Sequence, residues 1–363
     1  MNTPVKRLVC GLGLLGQLAF SIVASAQAAG DQAYKIVNSA QFPGTGGIDY
    51  VLADSDGRRL YVPRGGEILV FDLDTLKSVG SIPNARARGA AVDPKSHHGF
   101  SSSSPVVMWD TKTLATIKTI EVQGRPDGIL FEPASERVYV FSHTAPNVTV
   151  IDAKEGSVVG TIDLGGAPEQ AQSDGKGQLY VTIEDKDKIA VVDVKTMKVT
   201  ANYPLEGKGG TPAGLGLDAK NGILFAFCRN PQTCVVLSAT DGKILATLPI
   251  GRGTDGGGFN PHTMEAFSSQ GDGTLTIIKE NSPTDFSVSQ TVQTKSRAKT
   301  STLDAKTDHI VLITTEPLPD AAKPSPATPA KDAPAPAVAA AQPAAGRGGN
   351  NGPSLLDLLV VGR

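Results

Sequence analysis

The sequence predicts an all-β protein, a seven-bladed β-propeller whose blades are four-stranded antiparallel sheets. Two observations predict it: a unit of about 42 residues recurs seven times, and each unit holds up to four short strand-like segments. The composition agrees, because 40 glycines and 25 prolines in 363 residues are typical of a chain with many turns. With 40% hydrophobic residues, the chain is also able to bury a sizeable core.

Each unit opens with a strand that ends in an acidic or amide residue, followed by a tight turn. Such side chains accept hydrogen bonds from the nearby backbone, which stabilises the turn. A second strand follows, as in RVYVFS (137–142), then a third, as in VTVID (148–152), and a fourth, as in SVVGTIDL (157–164). The residues that end the first strands are Asp54, Asp93, Glu132, Asp174, Asp218, Asn260 and Asp304.

The last unit predicts how the ring closes. It has two strands, at 300–304 and 309–314, and then residues 317–353, whose Pro- and Ala-rich composition is typical of a flexible insertion. The apolar residues 354–363 would supply the third strand of this blade, and the N-terminal segment 34–42 would pair with it as the fourth. The propeller body would therefore span residues 29–316, and 354–363 would be its closing strand.

Residues 1–28 are typical of a secretory signal peptide. Lys6 and Arg7 precede the apolar run 8–24, and small residues follow at 24–28, where cleavage is expected. An uncleaved membrane anchor is the alternative. Cleavage would give a periplasmic or secreted protein without a transmembrane span. Because that compartment is oxidising, we expect Cys228 and Cys234 to form a disulfide, with two buried free thiols as the alternative.

The repeats resemble those of the YncE-like, YVTN-repeat β-propeller proteins of bacteria. The similarity is best in VTVIDAKEGSVVGTIDLGGAPEQ (148–170) and LYVTIEDKDKIAVVDVKTMKV (179–199), where Tyr180, Val181 and Thr182 match the signature and Ile183 replaces its Asn. The resemblance covers about 36–316 and 355–363. It implies an exported seven-bladed propeller with WD40-like repeats, and it implies no settled reaction.

One position in each repeat predicts a candidate site. The residue five places before each first-strand end should converge at the mouth of the central channel, and six of the seven are charged: Asp49, Arg88, Asp127, Glu169, Ala213, Asp255 and Lys299. These charges would neutralise one another in a ring of salt bridges. Alternatively, Asp49, Asp127, Glu169 and Asp255 would hold Ca²⁺, which takes oxygen ligands. Arg125 lies in one of the same loops and would suit an anionic ligand.

No catalytic constellation is evident. Only His143 is expected on the mouth face, whereas His97, His98, His262 and His309 fall in turns on the opposite face, so a clustered zinc site is not predicted. The sequence therefore favours a non-enzymatic, monomeric binding or scaffold protein without a cofactor, acting through the channel face. The alternative is a metal-assisted, lactonase-like hydrolase that uses the mouth carboxylates.

The partner is open at this point. A formal net charge of −2 argues against a duplex nucleic-acid binder. An unknown protein, a cell-envelope polymer or a small anionic ligand are the partners expected. A weaker possibility is single-stranded nucleic acid or another polyanion, held by the arginines of the inter-blade loops.

Overall fold

The computed structural model of the chain describes Met1, residues 33–318 and residues 352–363. The signal peptide and nearly all of the Pro/Ala-rich insertion lie outside the described residues, so both stay predictions. Within the described ranges, no helix has the length and the apolar character that crossing a membrane requires.

The described strands form seven antiparallel sheets of four strands each, which confirms the predicted β-propeller. Blade 1 contains β2 (Leu52–Asp54), β3 (Arg59–Arg64), β4 (Glu67–Asp72) and β5 (Ser78–Ile82). Blade 2 contains β6 (Ala90–Asp93), β7 (His98–Ser101), β8 (Val106–Asp110) and β9 (Thr116–Ile120). Blade 3 contains β10 (Pro126–Glu132), β11 (Arg137–Ser142), β12 (Val148–Asp152) and β13 (Val158–Ile162).

The remaining blades follow the same order, and the glycine-rich sixth repeat also forms all four strands. Blade 4 contains β14 (Pro168–Ser173), β15 (Gln178–Ile183), β16 (Lys188–Asp193) and β17 (Lys198–Pro204), with a single 3-10 turn at Glu184–Lys186. Blade 5 contains β18 (Pro212–Asp218), β19 (Ile223–Cys228), β20 (Thr233–Ser238) and β21 (Ile244–Pro249). Blade 6 contains β22 (Thr254–Asn260), β23 (Glu265–Gln270), β24 (Thr274–Ser282) and β25 (Asp285–Gln293). Blade 7 contains β26 (Thr300–Asp304), β27 (His309–Pro317), β28 (Pro353–Gly362) and β1 (Lys35–Thr45).

Blade 7 closes the ring with both ends of the described chain. Strand β28 pairs with β27 on one side and with β1 on the other, as in the ladder pairs of Leu358 with Ile313 and with Ala40. The innermost strand of this blade, β26, contacts β2 of blade 1. Circular closure covers both faces of every blade with its neighbours and leaves only short strand edges, so a propeller needs no further layers.

Apolar side chains fill the interfaces between neighbouring blades. The described core divides into seven clusters, one for each interface. Between blades 1 and 2, Trp109 packs against Tyr61 with ring centroids 5.8 Å apart. Trp109 also covers its cross-strand partner Gly99, where a Cβ would lie 2.1 Å from the indole ring. A glycine is therefore required at position 99.

The residues predicted to end the first strands do stabilise turns. The Asp54 carboxylate accepts a hydrogen bond from the Gly57 backbone N–H at 2.9 Å, and the Asn260 side-chain oxygen accepts one from His262 N–H at 2.9 Å. These turns lie at the end of the propeller opposite the mouth, and they fix where each inner strand stops.

The predicted disulfide is wrong. In the β19–β20 ladder Cys228 pairs with Thr233 and Phe227 pairs with Cys234. Because successive residues of a strand face opposite sides of a sheet, Cys228 faces blade 4 and Cys234 faces blade 6. Both are free, fully buried thiols, and burial raises the pKa of Cys228 to about 12.

Candidate functional site

The mouth of the central channel gathers six of the candidate residues predicted from the sequence. Asp127, Glu169 and Asp255 stand in the first two residues of the inner strands β10, β14 and β22, and each is nearly buried. Three further residues, Asp49, Arg88 and Lys299, lie just before the inner strands of their blades. Equivalent repeat positions therefore converge at one end of the channel.

Ion pairs connect these side chains around the mouth. Arg88 lies 2.8 Å from Asp49 and 3.1 Å from Asp127. On the other side, Lys299 forms an ion pair with Asp255. Lys299 also attracts the Asp49 carboxylate, and its neighbour Thr300 donates a hydrogen bond to the Asp49 carbonyl oxygen at 2.8 Å.

Blade 5 contributes through its second strand rather than its first. Its inner-strand position is Ala213, which is fully buried and uncharged. Arg229 follows the adjacent strand β19 and reaches into the ring, where it pairs with Asp255 and with Glu184 at 2.8 Å. It also lies 3.8 Å from Glu169. A cation that follows the second strand of blade 5 therefore takes part in the ring where the inner strand carries no charge.

Three residues of the site were not predicted as site residues: His143, Glu184 and Arg229. Each is the first residue after the second strand of its blade, in blades 3, 4 and 5 in turn. The repeat alignment also contains this second position. Only three of the seven blades have a titratable residue there, so the position is harder to recognise from the sequence than the first. We call Asp49, Arg88, Asp127, His143, Glu169, Arg229, Asp255 and Lys299 the mouth ring.

Arg125 lies outside the mouth ring. Its backbone N–H donates to Ser142 Oγ at 2.7 Å, which fixes the loop, but its side chain is exposed to solvent. The structure thus separates this candidate from the other six.

Below the mouth ring lies a cavity of about 350 Å³, lined by the inner strands. Tyr50 and Glu169 border it, and the Tyr50 hydroxyl lies 3.1 Å from the Glu169 backbone oxygen and 3.4 Å from its Oε2. Farther in, Gln170 reaches sideways to blades 5 and 6, accepting from Leu215 N–H at 2.9 Å and donating to the Gly257 carbonyl at 2.8 Å. Polar side chains therefore cross the channel immediately beneath the mouth.

Negative charge is in excess at the mouth. With Glu184 included, five carboxylates face only three permanently charged cations, Arg88, Arg229 and Lys299. Burial, together with the nearby Asp127, raises the pKa of Asp49 to about 6. Burial and a hydrogen bond with Glu184 likewise raise the pKa of Glu169 to about 8. Such shifts mean that these carboxyls hold a proton up to a higher pH than usual, chiefly because they are buried.

One part of the mouth ring has the donor set of a metal site. His143 Nε2 and one oxygen from each of Asp127 and Glu169 all lie within 4.8 Å of one another, and this is the cluster of that kind found among the described residues. The closeness of the Asp127 carboxylate, with those of Glu169 and Glu184, raises the pKa of His143. The two other carboxylates named for the alternative calcium site, Asp49 and Asp255, lie outside this cluster and pair with Arg88 and Arg229.

The other described histidines lie away from this cluster, as the sequence predicted. His262 is exposed and lies 2.9 Å from Asp308 at the opposite end of the propeller. His98 Nδ1 lies 3.0 Å from the Ala153 carbonyl oxygen. Their surroundings are those of ordinary surface turns.

Comparison with known proteins identifies the fold. No protein-family model and no curated protein sequence matches the chain. Among solved structures, "Crystal structure of RRP9 WD40 repeats" aligns with a TM-score of 0.67 and 11% identity, covering 91% of this chain and 99% of that one. "Structure of U3-55K" aligns with a TM-score of 0.66 and 11% identity over 77% and 92% of the two chains. "Kuenenia stuttgartiensis Hydrazine Synthase" reaches 0.64 and 16% identity over 74% and 92%.

These similarities establish a seven-bladed propeller with WD40-like neighbours. At such low identity they carry no information on substrate or partner.

Proposed function

We propose that the protein is an exported binding or scaffold propeller of the YncE-like, YVTN-repeat kind, which receives a positively charged group of its partner at the mouth ring. The WD40-repeat propellers that share its fold are typical of binding or scaffold proteins. The excess of carboxylates over cations at the mouth is the observation that carries the proposal.

The charge balance distinguishes between the partners expected from the sequence. An anionic group would enter a site in which carboxyl groups outnumber the permanent cations by two, whereas a cationic group would favour the ionised forms of Asp49 and Glu169, whose pKa values are raised. A protein or cell-envelope polymer that presents an amine or another cation fits this site better than a small anion. The exposed Arg125 at the rim does not reverse this balance, since it lies outside the mouth ring.

The test uses spermidine as a cationic probe and heparin as an anionic one, with the full mature chain. We expect spermidine to raise the melting temperature and to bind in isothermal titration, with an affinity that falls as salt is added. Asp255→Asn should abolish this binding, because it removes the carboxylate that pairs with both Arg229 and Lys299 and so reduces the negative charge of the mouth. Glu184→Gln should weaken it.

Asp308→Asn is the matched control, since it makes the same change at the opposite end of the propeller. Stabilisation by heparin in place of spermidine, or equal responses of Asp255→Asn and Asp308→Asn, would contradict the proposal. Circular dichroism of each variant checks that the blades remain folded. Export is tested separately, by mass spectrometry of the mature N-terminus after expression in a bacterium.

A metal-assisted hydrolase is the second candidate, and the cluster of Asp127, His143 and Glu169 is the observation that favours it. Metal-assisted hydrolysis needs a bound cation with a position open to water. A screen of lactones and phosphoesters, with and without added Zn²⁺, would detect such an activity. Hydrolysis that the metal does not change, or that persists in His143→Gln, would exclude this candidate.

A further inference from the structure

The mouth ring contains a more specific site than its overall charge implies. We propose that Asp127, His143 and Glu169 bind a divalent transition-metal ion, such as Zn²⁺, at the mouth of the channel. This inference rests on the proposed cation-binding function and names the cation.

The geometry of the three donors fits one small ion. His143 Nε2 lies 3.2 Å from an Asp127 oxygen and 3.7 Å from a Glu169 oxygen. In a tetrahedral zinc site with bonds of about 2.0–2.1 Å, neighbouring donor atoms are about 3.3 Å apart. The three side chains thus have nearly the separation that shared coordination requires.

The imidazole nitrogen is placed as a ligand. Nε2 of His143 is shielded from solvent and forms no well-directed hydrogen bond, even though a carboxylate oxygen is 3.2 Å away. A buried nitrogen that lies within 3.7 Å of an oxygen from each of two carboxylates is placed where a shared metal ion could be coordinated. The same nitrogen as a hydrogen-bond donor would be expected to align with one oxygen.

Neighbouring side chains hold the two carboxylates in place. Arg88 pairs with Oδ1 of Asp127, whereas Oδ2 is the oxygen nearest to His143. Tyr50 lies against Oε2 of Glu169, whereas Oε1 faces His143. Each carboxylate therefore presents one oxygen to the proposed ion while its other oxygen is fixed by a partner, as is common around metal sites.

The charges nearby favour a divalent ion. With His143 neutral, the five carboxylates of the mouth exceed the three permanent cations by two charges, which one divalent ion would balance. Arg229 does not compete strongly for Glu169, because it lies 3.8 Å away and bonds Glu184 and Asp255 more closely. One nitrogen and two oxygen donors suit zinc, cobalt or manganese better than calcium.

Three protein ligands leave a position for water or for a ligand atom. The His143 side chain retains 24% exposure although its Nε2 is buried, so the imidazole ring borders solvent at the mouth. The arrangement resembles catalytic metal sites in donor number, in which three side chains and one exchangeable water surround the ion.

The experiment titrates Co²⁺ and Zn²⁺ into the EDTA-treated mature chain, produced without a histidine tag. We expect one Co²⁺ per chain, with visible absorption bands that Zn²⁺ abolishes by displacement. His143→Gln should eliminate these bands. Tyr50→Phe, which only removes the group that positions Glu169, should weaken Co²⁺ binding by about 10-fold.

His262→Gln is the matched control, because His262 also lies beside an aspartate but at the opposite end of the propeller. It should bind Co²⁺ like the parent. Equal binding by the parent and His143→Gln, or the absence of Co²⁺ and Zn²⁺ binding, would overturn the inference. So would a site that takes Ca²⁺ and responds to Asp127→Asn but not to His143→Gln.

A failure of this inference is distinguishable from a failure of the proposed function. If spermidine binds at the mouth while Co²⁺ and Zn²⁺ do not, the metal site is wrong and the cation-binding function stands. If neither spermidine nor a metal ion binds, both are wrong.

Discussion

The two ends of the channel compensate the buried charges between blades in different ways. At the end opposite the mouth, Arg58 of blade 1 makes two hydrogen bonds to Asp304 of blade 7, at 2.7 and 2.8 Å, and also contacts Asp74 at 2.5 Å. The Arg58–Asp304 pair is local, because it crosses only the interface between blades 1 and 7. At the mouth, the charges form a continuous ring in which carboxylates are in excess. A compensated pair is typical of a structural role, whereas an uncompensated ring leaves room for a ligand.

The largest effect should come from removing the strand on which both ends depend. Deleting residues 355–363 removes most of β28, which lies between β27 and β1. Blade 7 would then lose its third strand. The inner strand of this blade, β26, begins directly after Lys299 at the mouth and ends in Asp304 at the opposite end of the channel. We expect loss of cooperative folding, measured by thermal melting and near-ultraviolet circular dichroism.

Deleting residues 319–350 is the control for that truncation. Pro317 and Ser354 are already paired, so residues 318 and 351–352 would suffice to connect the two strands. We expect a melting temperature close to that of the parent. If both deletions melt like the parent chain, the closing role of β28 is wrong.

The second prediction concerns the Arg58–Asp304 pair at the end of the channel opposite the mouth. Arg58→Met should destabilise the protein by about 3 kcal/mol, because it leaves the buried Asp304 carboxylate without its cation. Burial alone would raise the pKa of Asp304, but the hydrogen bonds from Arg58 outweigh it and lower the pKa to about 2. A lowered pKa contributes stability above about pH 4, and this contribution is lost as the pH falls towards 2.

Urea unfolding of parent and variant between pH 6 and pH 2 measures this effect. The difference should be largest near pH 6 and should shrink at the acidic end. Arg59→Met is the control. It removes a partly exposed ion pair, in which Arg59 lies 3.6 Å from Asp72, and it should destabilise the protein much less. A pH-independent difference would show that Arg58 acts through packing instead.

The third prediction concerns a second buried group at the same end. Burial, with a contribution from Asp218, raises the pKa of Glu280 to about 7, although Asn221 donates to it at 2.9 Å. Because the folded pKa is above the ordinary value, the parent should lose stability as the pH rises from about 4 through 7. Glu280→Gln should remove that loss and stabilise the protein by about 1 to 2 kcal/mol at pH 8.

Thermal melts of parent and variant at pH 5 and pH 8 provide the measurement. Near pH 5 the two should be similar, because Glu280 is then protonated and neutral in the folded parent. A variant that is destabilised equally at both pH values would contradict the raised pKa of Glu280.

The smallest effect is expected at the mouth. Arg88→Met should cost only about 1 kcal/mol, since Arg88 is 39% exposed in its side chain and His143 still faces Asp127. Arg125→Met, outside the mouth ring, should leave stability unchanged. Urea denaturation compares the three proteins. A loss of stability as large as that of Arg58→Met would mean that the mouth ring has a structural role like that of the Arg58–Asp304 pair.

The fold and much of the site were predictable because a propeller repeats one pattern. Equivalent positions in the repeats become neighbours around the axis, so Asp49, Asp127 and Asp255 were found by alignment alone. The cluster with His143 was not, since it depends on how far each side chain reaches across two strands. The disulfide prediction failed because the one-residue offset of the β19–β20 ladder places Cys228 and Cys234 on opposite faces.

In blade 5 the charge at the mouth follows the second strand instead of the first, and this affects which amino-acid substitutions the mouth ring tolerates. Ala213 carries no charge, and Arg229, which follows the adjacent strand, supplies the cation that pairs with both Glu184 and Asp255. Loss of this arginine would remove the cation that joins those two carboxylates. In related chains we therefore expect the two sites to covary, with a charged inner-strand residue accompanying the loss of arginine from its partner.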